Sequence, residues 1–384
     1  MKFAYISPSV LPSRTANSVH VIMQCIALTP FVTELALYAK RTLRNETELQ
    51  DSLGDAYGNS LPGVRLVTFW NRFDYGNNLC IALLAIFDLF RTGWPDIILS
   101  RNLYASFIIS VILRKHILFE THQLEQGFRK FLQSLIMRKR WVVTVVISDK
   151  LKECLTEHHR REPFKTLVLP DAAPEKIEPL PRNKRRPLLE EIFPETKGMW
   201  RGVCGYFGHL YSGRGVEIIE QMAQIHPEVL FLLFGGNESD VQYRRNLNRN
   251  LNVIYMGHVP HPVAQQAMKS VDILLMPYQR SVSIGLKGHD TAKWMSPMKM
   301  FEYMATGVPI ISSELPVLCE VLQNNKNSLL VRPEDAKEWA IALEKLLSDD
   351  RFANSLGICA HHDYCNNYTW TIRAKRLLHG GKVE

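Results

Sequence analysis

The chain has 384 residues, which is too long for one ordinary α/β domain and sufficient for two. Hydrophobic residues make up 46% and charged residues 22%, a balance that excludes an intrinsically disordered chain. The net charge of +8 suits an anionic partner, such as a phosphate-bearing ligand or an acidic membrane surface, and it equally suits a solvated basic face. Seven scattered cysteines without a Cys-x-x-Cys pair favour reduced thiols over disulfides or a zinc site.

The start of the chain and its apolar runs predict a cytoplasmic protein. Residues Met1–Ser7 have the pattern of a strand rather than that of a signal sequence. The longest apolar run, Leu79–Phe90, is interrupted by Asp88 and is shorter than the ~20 residues that cross a bilayer. We therefore expect any membrane contact to be peripheral, at the inner membrane surface.

Short apolar runs rich in branched residues alternate with helical patterns through the first half of the chain. Runs of this kind, bounded by polar turns, predict buried parallel strands joined by crossover helices. They define an N-terminal Rossmann-like domain over residues 1–175. The predicted strands are Lys2–Pro8, Glu34–Ala39, Arg65–Phe69, Asp96–Ser100, Ile117–Glu120 and Trp141–Ile147.

A change of composition separates this half from the next. Residues 176–200 contain four prolines and the basic run Arg182–Arg186, and they show little periodicity. Clustered prolines without a periodic apolar pattern are typical of connecting segments. The sequence therefore predicts an interdomain linker here.

The alternation of strands and helices restarts after the linker and predicts a second doubly wound sheet over residues 201–366. Two such domains are expected to bind ligands in a cleft beyond the carboxyl ends of their strands. The predicted strands are Gly202–Phe207, Val229–Gly235, Asn252–Met256, Val271–Met276, Pro309–Ser312 and Ser328–Val331. The predicted helices are Gly215–Ile225, Pro262–Ser270, Pro297–Ala305, Pro316–Gln323 and Glu334–Ser348.

One predicted helix carries the features of an anion site. Ser296 is a good N-cap, and Pro297 suits the first helical position. Lys299 in the first turn opposes the helix dipole, so that two positive features coincide and favour a bound anion such as a diphosphate. Glu302, further along, could accept hydrogen bonds from ribose hydroxyls. An ordinary capped helix with an exposed lysine is the alternative.

The run Ser296–Ser313 resembles the signature of the retaining glycosyltransferases of family 4, the glycosyl transferases group 1. Members have the α/β fold called GT-B, in which two Rossmann-like doubly wound domains face each other across a cleft. The resemblance implies that the backbone of Ser296, Pro297 and Met298 and the side chain of Lys299 face the diphosphate of a nucleotide-sugar donor. It also implies that Glu302 is the second carboxylate of the family's Glu-x7-Glu motif and holds the ribose.

Further stretches of the second half share the resemblance. Gly208–Val216 is similar to the loop that usually carries a basic residue before Gly-Val, which puts Arg214 in the place of the diphosphate-binding lysine. Arginine can hold phosphate oxygens in a bidentate way. His209 stands where the family usually has another basic residue. The glycine-rich turn that ends at Gly236, together with Lys293, completes the expected donor-binding residues.

The first half resembles the family less closely. Glu120-Thr121-His122 is similar to the family's Glu-x-His segment, and His122 is the candidate for a catalytic contact to the acceptor or sugar. The loop Pro8–Ser18 is expected beside donor and acceptor, with Asn17, Ser18 and His20 as its contacts. Residues 367–384 resemble the C-terminal helix that crosses back to the first domain.

The family motif is incomplete at one position. Eight residues before Glu302 stands Trp294, where the first carboxylate of Glu-x7-Glu is expected. That carboxylate contacts the donor sugar in the family, so its loss leaves the sugar and the activity open. We hypothesise that Asp290, or the backbone of residues 288–290, takes over the contact. Trp294 would then pack in a closed loop or stack on the base or sugar.

The resemblance implies a retaining transfer from a nucleotide-diphosphate sugar to a glycan, lipid-linked or small-molecule acceptor in surface polysaccharide or glycoconjugate synthesis. No Asp-x-Asp motif follows a predicted strand, so neither a catalytic metal nor another cofactor is expected. Lys299, Arg214 and helix amides would stabilise the departing diphosphate instead. A catalytically impaired partner subunit and a sugar-nucleotide epimerase of the same fold remain alternatives. Nucleic-acid binding is not expected, because the basic residues are scattered.

The segment Phe128–Arg140 mixes bulky apolar groups with five basic residues. A basic amphipathic helix of this kind can lie on an anionic membrane surface. A helix that faces the core and exposes a solvated basic side has the same pattern. The sequence leaves both interpretations open.

Overall fold

The computed structural model describes residues 1–13, 15–43, 49, 52–54, 61–71, 76–175, 177–282 and 290–381. The chain divides into two compact units. Unit 1 comprises Met1–Asp171 and Trp370–Glu384, and unit 2 comprises Ala172–Thr369. The C-terminal residues thus cluster with the N-terminal part of the chain.

Each unit is built on a parallel sheet. In unit 1 the strand order is β3-β2-β1-β4-β5-β6-β7, and in unit 2 it is β10-β9-β8-β11-β12-β13. Every strand pair is parallel. The strands of unit 1 are β1 Lys2–Leu11, β2 Glu34–Arg41, β3 Val64–Trp70, β4 Ile97–Ser100, β5 Ile117–Thr121, β6 Val142–Val146 and β7 Thr166–Val168. Those of unit 2 are β8 Gly202–Phe207, β9 Val229–Phe234, β10 Val253–Gly257, β11 Ile273–Met276, β12 Ile310–Ser313 and β13 Leu329–Val331.

Helices cover these sheets, and the crossover direction reverses between β1 and β4 in unit 1 and between β8 and β11 in unit 2. Such switch points are where open α/β sheets bind ligands. The α-helices in chain order are α1 Ala16–Leu28, α2 Asn77–Thr92, α3 Leu103–Phe107, α4 Gly127–Met137, α5 Asp149–His159, α6 Arg182–Ile192, α7 Val216–Ile225, α8 Glu238–Leu247, α9 His261–Ser270, α10 Met298–Thr306, α11 Ala336–Ser348, α12 Asp350–Asn367 and α13 Trp370–Gly381.

Burial explains why the parallel strands are so apolar. Every residue of β8 and β9 is buried, as expected for strands that are covered by helices on both faces. None of the described helices is both long and apolar enough to cross a membrane. The two-domain α/β fold predicted from the sequence is thus confirmed.

The structure differs from the sequence-based prediction in several elements. The segment predicted to be a linker contains α6, whose Leu189 is fully buried in the core of unit 2. Pro187 lies inside this helix, so burial of the apolar face outweighs the helix-breaking signal. Pro316–Gln323, predicted to be a helix, forms turns and ends in coil. Strand β7 has only partly buried residues, and no apolar run predicted it.

Two glycines let the loops after β8 and β11 meet backbone to backbone. A Cβ on Gly213 would lie 1.9 Å from the Ser281 carbonyl oxygen, and a Cβ on Gly215 would lie 1.8 Å from that of Pro277. Gly215 also has a φ of 78°, which side-chain-bearing residues rarely adopt. The loops can therefore approach this closely only with glycine at both positions.

We expect Gly215→Ala to destabilise the protein by about 3 kcal/mol or more, because the added methyl must displace backbone. Gly63→Ala is the matched control: its φ is 77°, and a Cβ there meets no atom within 4 Å. The control should lose only the conformational cost of about 1 kcal/mol. Urea unfolding of the two variants checks this, and equal losses would contradict the close backbone contact.

Candidate functional site

The candidate site of unit 2 lies at its switch point. The loop that follows β8 carries Gly208–Gly215, and the loop that follows the neighbouring β11 carries Pro277–Val282. The amide of Gln279 donates to the Gly213 carbonyl at 2.9 Å, which ties the loops together. Side chains from both loops therefore meet at the carboxyl edge of the sheet.

Helix α10 adds its N-terminus to this place. Its N-cap residue is Pro297 and its first residue is Met298, so the prediction that Ser296 caps the helix and Pro297 begins it is off by one residue. Proline with an extended ψ of 119° fits the position before a helix. The helix ends at Thr306, one residue after the predicted Ala305, and Gly307 closes it with a φ of 65°.

A buried tyrosine fixes α10 to both central strands. The Tyr303 hydroxyl accepts a hydrogen bond from the Phe207 amide at 2.9 Å and donates to the Leu275 carbonyl at 3.4 Å. Phe207 ends β8 and Leu275 belongs to β11. Lys299 precedes Tyr303 by one helical turn and lies on the same face of α10. The tyrosine therefore directs Lys299 towards the ends of β8 and β11.

The Lys299 ammonium contacts aromatic rings rather than carboxylates. Its Nζ lies 4.3 Å from the Tyr206 ring centroid and 4.5 Å from that of Tyr278. A Cβ at position 208 would lie 3.2 Å from this Nζ, so any side chain other than glycine's would crowd the ammonium. Within the part of the chain that the structure describes, this ammonium forms no ion pair and no hydrogen bond. Burial, followed by repulsion from Arg214, holds its pKa well below the usual value.

Arg214 shares one of these rings. Its Nη1 donates to the Tyr278 hydroxyl at 3.0 Å, and its guanidinium carbon lies 5.2 Å from the ring centroid. Tyr278 is thus contacted by both cations. An anion bound beside the two groups would relieve their mutual repulsion, and this is the environment that a diphosphate requires.

The other residues of the β8 loop have structural contacts. The exposed His209 ring stacks on Tyr211 at 4.7 Å, and the His209 carbonyl accepts from the Tyr206 hydroxyl at 2.6 Å. Burial, followed by Arg214 and Lys299, lowers the pKa of His209. The lowered pKa favours the neutral ring, so His209 is a weaker source of positive charge here than Arg214 or Lys299. Gly236 has a φ of 78° and is packed against Leu210.

Glu302 lies on α10 and already has a partner. Its Oε1 is 2.8 Å from Nε2 of His261, the first residue of α9. The hydrogen bond to Glu302 raises the pKa of His261 and outweighs the burial that lowers it. The carboxylate is thus held in a fixed position, which suits recognition of a diol such as ribose.

The structure gives Asp290 a bracing role. Its Oδ1 accepts hydrogen bonds from the amides of Val282 and Ala292, both at 2.9 Å. Burial acts to raise its pKa, but these two hydrogen bonds, a hydrogen bond with Ser281 and the charge of Lys293 together hold the pKa below the usual value. The backbone of residues 288 and 289, proposed as an alternative contact, lies outside the described residues. Lys293 is exposed and Trp294 is partly buried.

Unit 1 contains a second group of polar residues, centred on the buried carboxylate of Glu120. Arg373 from α13 donates to Glu120 Oε1 at 2.6 Å and to the Pro170 carbonyl at 3.0 Å. Burial opposes ionisation of Glu120, but Arg373 and then His20 hold its pKa well below the usual value. The C-terminal helix therefore supplies the main counter-charge for a carboxylate of β5.

His122 lies beside this carboxylate with both ring nitrogens engaged. Arg101 Nη2 is 3.1 Å from Nδ1, and Glu120 Oε1 is 3.0 Å from Nε2. Because a guanidinium only donates, Nδ1 must accept and Nε2 must carry the proton. Burial, then Arg101, lowers the pKa of His122 to about 4. The ring is therefore neutral at pH 7, and its role in catalysis stays a prediction.

The predicted acceptor loop is shorter than expected. Strand β1 continues to Leu11 and α1 begins at Ala16, so Asn17 and Ser18 are helical rather than part of the loop, and His20 lies in the same helix. Asn17 donates to Ser9 Oγ at 2.8 Å, and Ser18 donates to the Val10 carbonyl at 3.1 Å. These two hydrogen bonds tie α1 to the end of β1.

His20 belongs to the Glu120 group. Its Nδ1 lies 2.7 Å from Asp171 Oδ1, and its ring packs edge-on against Trp370. Atoms of His20, Glu120 and His122 lie within 4.8 Å of one another, a spacing that suits a metal ion. However, Arg373 and Arg101 contact the same atoms and oppose a cation by repulsion. The group is therefore better described as a network of ion pairs.

Several residues of these groups were not singled out by sequence reasoning. Tyr206, Tyr278 and His261 lie in separate segments that only the sheet order brings together. Arg101 directly follows β4 at the switch point of unit 1, and a charged residue at that position was the one available signal. Its Nη1 is buried and has no hydrogen-bond partner among the described residues.

The two parallel-sheet units define the GT-B class of fold. Anabaena HepE, in a crystal structure in complex with UDP, aligns with a TM-score of 0.73 over 99% of both chains at 14% identity. Sucrose-phosphate synthase from Thermosynechococcus elongatus aligns with a TM-score of 0.73 over 98% of this chain and 97% of that chain at 16% identity. At these identities the likeness establishes the fold alone.

Sequence comparison adds the family resemblance. Residues 201–349 match the family described as glycosyl transferases group 1. Spore coat protein SA of Bacillus subtilis (strain 168) is 23% identical over 242 residues, 61% of this chain and 63% of that protein. The D-inositol 3-phosphate glycosyltransferase of Corynebacterium diphtheriae is 23% identical over 184 residues, 46% of this chain and 41% of that protein. The chain thus spans less than two thirds of either relative, and it resembles the group 1 glycosyltransferases, as predicted.

We expect Arg373→Met to lower the free energy of unfolding by about 3–5 kcal/mol, because Glu120 would be left as a buried charge without its main partner. Arg376→Met, an exposed change on the same helix, should cost no more than about 0.5 kcal/mol. The double change Arg373→Met/Glu120→Gln should recover part of the loss, since no unpaired carboxylate remains. Urea unfolding measures all three, and equal stability of the two single variants would contradict the role of Arg373.

Proposed function

We propose that the chain is a glycosyltransferase that moves a sugar from a nucleotide-diphosphate sugar to an acceptor. The observation that carries the proposal is the Lys299 ammonium, which has no ion-pair partner among the described residues and is held beside Arg214 at the N-terminus of α10 and at the switch point of unit 2. Two cations and a helix N-terminus at one place match the charge of a diphosphate. The family resemblance of residues 201–349 supports the same assignment.

In this proposal the positive groups act on the leaving diphosphate. As the bond from the anomeric carbon to the diphosphate oxygen breaks, negative charge grows on that oxygen, and Lys299 and Arg214 stabilise it. Groups already in place are effective because they need no reorganisation during the reaction. We propose that this arrangement serves in place of a metal ion, and that the anomeric configuration is retained, as the family resemblance implies.

Glu302 would hold the ribose of the donor. Its hydrogen bond with His261 fixes the carboxylate on α10, three residues after Lys299. A carboxylate at this distance along the helix can accept from ribose hydroxyls while the diphosphate lies at the helix start. Asp290 braces the neighbouring loop, and we propose that it acts on the donor sugar through that loop rather than by direct contact.

The nature of donor and acceptor rests on similarity. Anabaena HepE has been crystallised in complex with UDP-glucose, which supports a uridine nucleotide as the first donor to test. A D-inositol 3-phosphate glycosyltransferase is among the relatives. We propose a glycan or lipid-linked acceptor of surface polysaccharide or glycoconjugate synthesis, handled by unit 1 with His122 nearby, and a cytoplasmic location for the reaction.

We expect at least one of the three nucleotides UDP, GDP and ADP to bind in the presence of EDTA, which removes metal ions. Lys299→Met and Arg214→Met should each weaken binding roughly 10- to 100-fold, because each removes a charge-assisted contact. Lys337→Met, an exposed change on α11, is the control and should bind as the unaltered protein does. Isothermal titration calorimetry measures these affinities.

Nucleotide binding that Lys299→Met and Arg214→Met leave unchanged would contradict the donor site. So would the absence of binding by all three nucleotides. Release of nucleotide from the sugar donor, followed with candidate acceptors, tests the reaction separately. Tight binding with no transfer to any acceptor would favour the catalytically impaired partner subunit, a role compatible with Trp294 in place of the family's first carboxylate.

A further inference from the structure

Helix α2 of unit 1 exposes an apolar stripe. Leu79, Leu83, Phe87 and Phe90 are spaced by four, four and three residues, so that they lie along one side of the helix. All four are exposed, and Phe87 retains 66% of its accessible surface. The buried side of α2 is formed by other residues, among them Ile81, Ala85 and Leu89. The stripe is therefore not part of the core, and an exposed stripe of large apolar side chains indicates an interaction surface.

Helix α4 exposes two further aromatic residues. Phe128 and Phe131 are both exposed, and their rings lie 6.3 Å apart. The opposite side of α4, with Leu132 and Ile136, is buried. The helix thus faces the core on one side, as one interpretation of Phe128–Arg140 expects, and presents two aromatic groups outward on the other. Helix α3 packs against both α2 and α4, which places the two exposed faces in one helical layer.

Two tryptophans link the ends of this layer to lysines. Trp94 packs edge-on against Phe90 at 5.3 Å, and Lys115 Nζ lies 5.3 Å from the Trp94 ring. Lys139 Nζ lies 6.0 Å from the ring of Trp141, whose Nε1 donates to the Ser110 carbonyl at 2.8 Å. Partly buried tryptophans under long basic side chains are typical of the boundary between an apolar phase and water.

Basic residues outnumber acidic ones in this layer. Residues 103–116 and 127–140 contain no aspartate or glutamate, whereas 127–140 alone carry five basic residues, of which Arg129 pairs with Glu125 at 2.6 Å. The one acid of α2, Asp88, pairs with Arg65 at 2.7 Å and accepts from Tyr38 at 2.8 Å. It is therefore neutralised by unit 1 itself and does not offset the basic residues. A surface that is both apolar and basic is complementary to an anionic lipid headgroup layer with acyl chains beneath it.

We propose that unit 1 docks on an anionic membrane surface through this layer, with the α2 stripe, Phe128 and Phe131 inserted among the acyl chains. The basic side chains Arg91, Arg114, Lys115, Lys130, Arg138, Lys139 and Arg140 lie against the lipid phosphates. The α2 stripe supplies the apolar contact that the basic run of α4 lacks. A protein partner would need acidic side chains opposite seven basic ones, and lipid phosphates provide that charge uniformly. The docking does not depend on the proposed donor site.

Flotation of the full chain with lipid vesicles tests the proposal without any sugar donor. The chain should float with vesicles of phosphatidylcholine and phosphatidylglycerol and stay unbound with phosphatidylcholine alone. The Leu83→Gln/Phe87→Gln variant should partition onto the vesicles at least tenfold less than the unaltered protein, because the inserted apolar groups are removed. The Lys139→Glu/Arg140→Glu variant should lose binding to the anionic vesicles, and with it the dependence of that binding on salt concentration.

The matched control is Ile341→Gln/Ile358→Gln, which removes two exposed apolar side chains from unit 2. This variant should bind anionic vesicles as the unaltered protein does. Binding that persists in Leu83→Gln/Phe87→Gln, or absence of binding to anionic vesicles, would overturn the proposal. Light scattering tests whether a second copy of the chain binds the α2 stripe instead. Self-association that Leu83→Gln/Phe87→Gln abolishes, without vesicle binding, would assign the stripe to that second copy and overturn the membrane proposal.

Discussion

The contact of the Lys299 ammonium with the rings of Tyr206 and Tyr278 is the interaction on which the site of unit 2 depends, and no described carboxylate pairs with this ammonium. A partly buried cation without a paired anion is unfavourable, and its lowered pKa expresses that cost. The fold maintains this arrangement through other contacts. Tyr303 fixes α10 to β8 and β11, and Gly213 and Gly215 let the two loops meet closely enough to carry Tyr278 and Arg214. These surrounding contacts stabilise the site, and a bound anion would supply the negative charge that Lys299 and Arg214 lack.

In the polar group of unit 1, by contrast, the buried charge is paired. Glu120 is buried, but Arg373 pairs with it, and the Arg101–His122–Glu120 chain assigns every ring nitrogen of His122 a role. Such a network of paired charges holds its members in place and is costly to break, although Arg101 Nη1 has no hydrogen-bond partner among the described residues. Arg373 comes from the last helix, so the C-terminal residues complete the charge balance of a strand in the first third of the chain. Unit 1 is thus internally neutralised at its switch point, while unit 2 retains positive charge at its own.

The sequence predicted most of the strands and the helix that carries Lys299 and Glu302, because apolar runs, a proline and a closing glycine are local signals. It did not predict Tyr206, Tyr278 or His261 as neighbours of those residues, since these contacts depend on strand order and loop packing. It predicted a linker where α6 lies, because the burial that stabilises a proline-containing helix comes from distant residues. It extended the acceptor loop to Ser18, because a serine- and proline-rich segment looks the same whether or not the strand before it continues to Leu11.

The central claim is that Lys299 awaits an anion, and proton uptake on nucleotide binding tests it most directly. Because the pKa of Lys299 is lowered in the free protein, a bound diphosphate should raise it, and UDP binding should take up protons over the pH range in which free Lys299 is only partly protonated. Calorimetry in buffers of different ionisation enthalpy measures that uptake. Lys299→Arg should bind UDP without it, because arginine stays charged throughout. Uptake in the unaltered protein and none in the variant would agree with the account, whereas UDP binding with no proton uptake, or equal uptake in both, would contradict it.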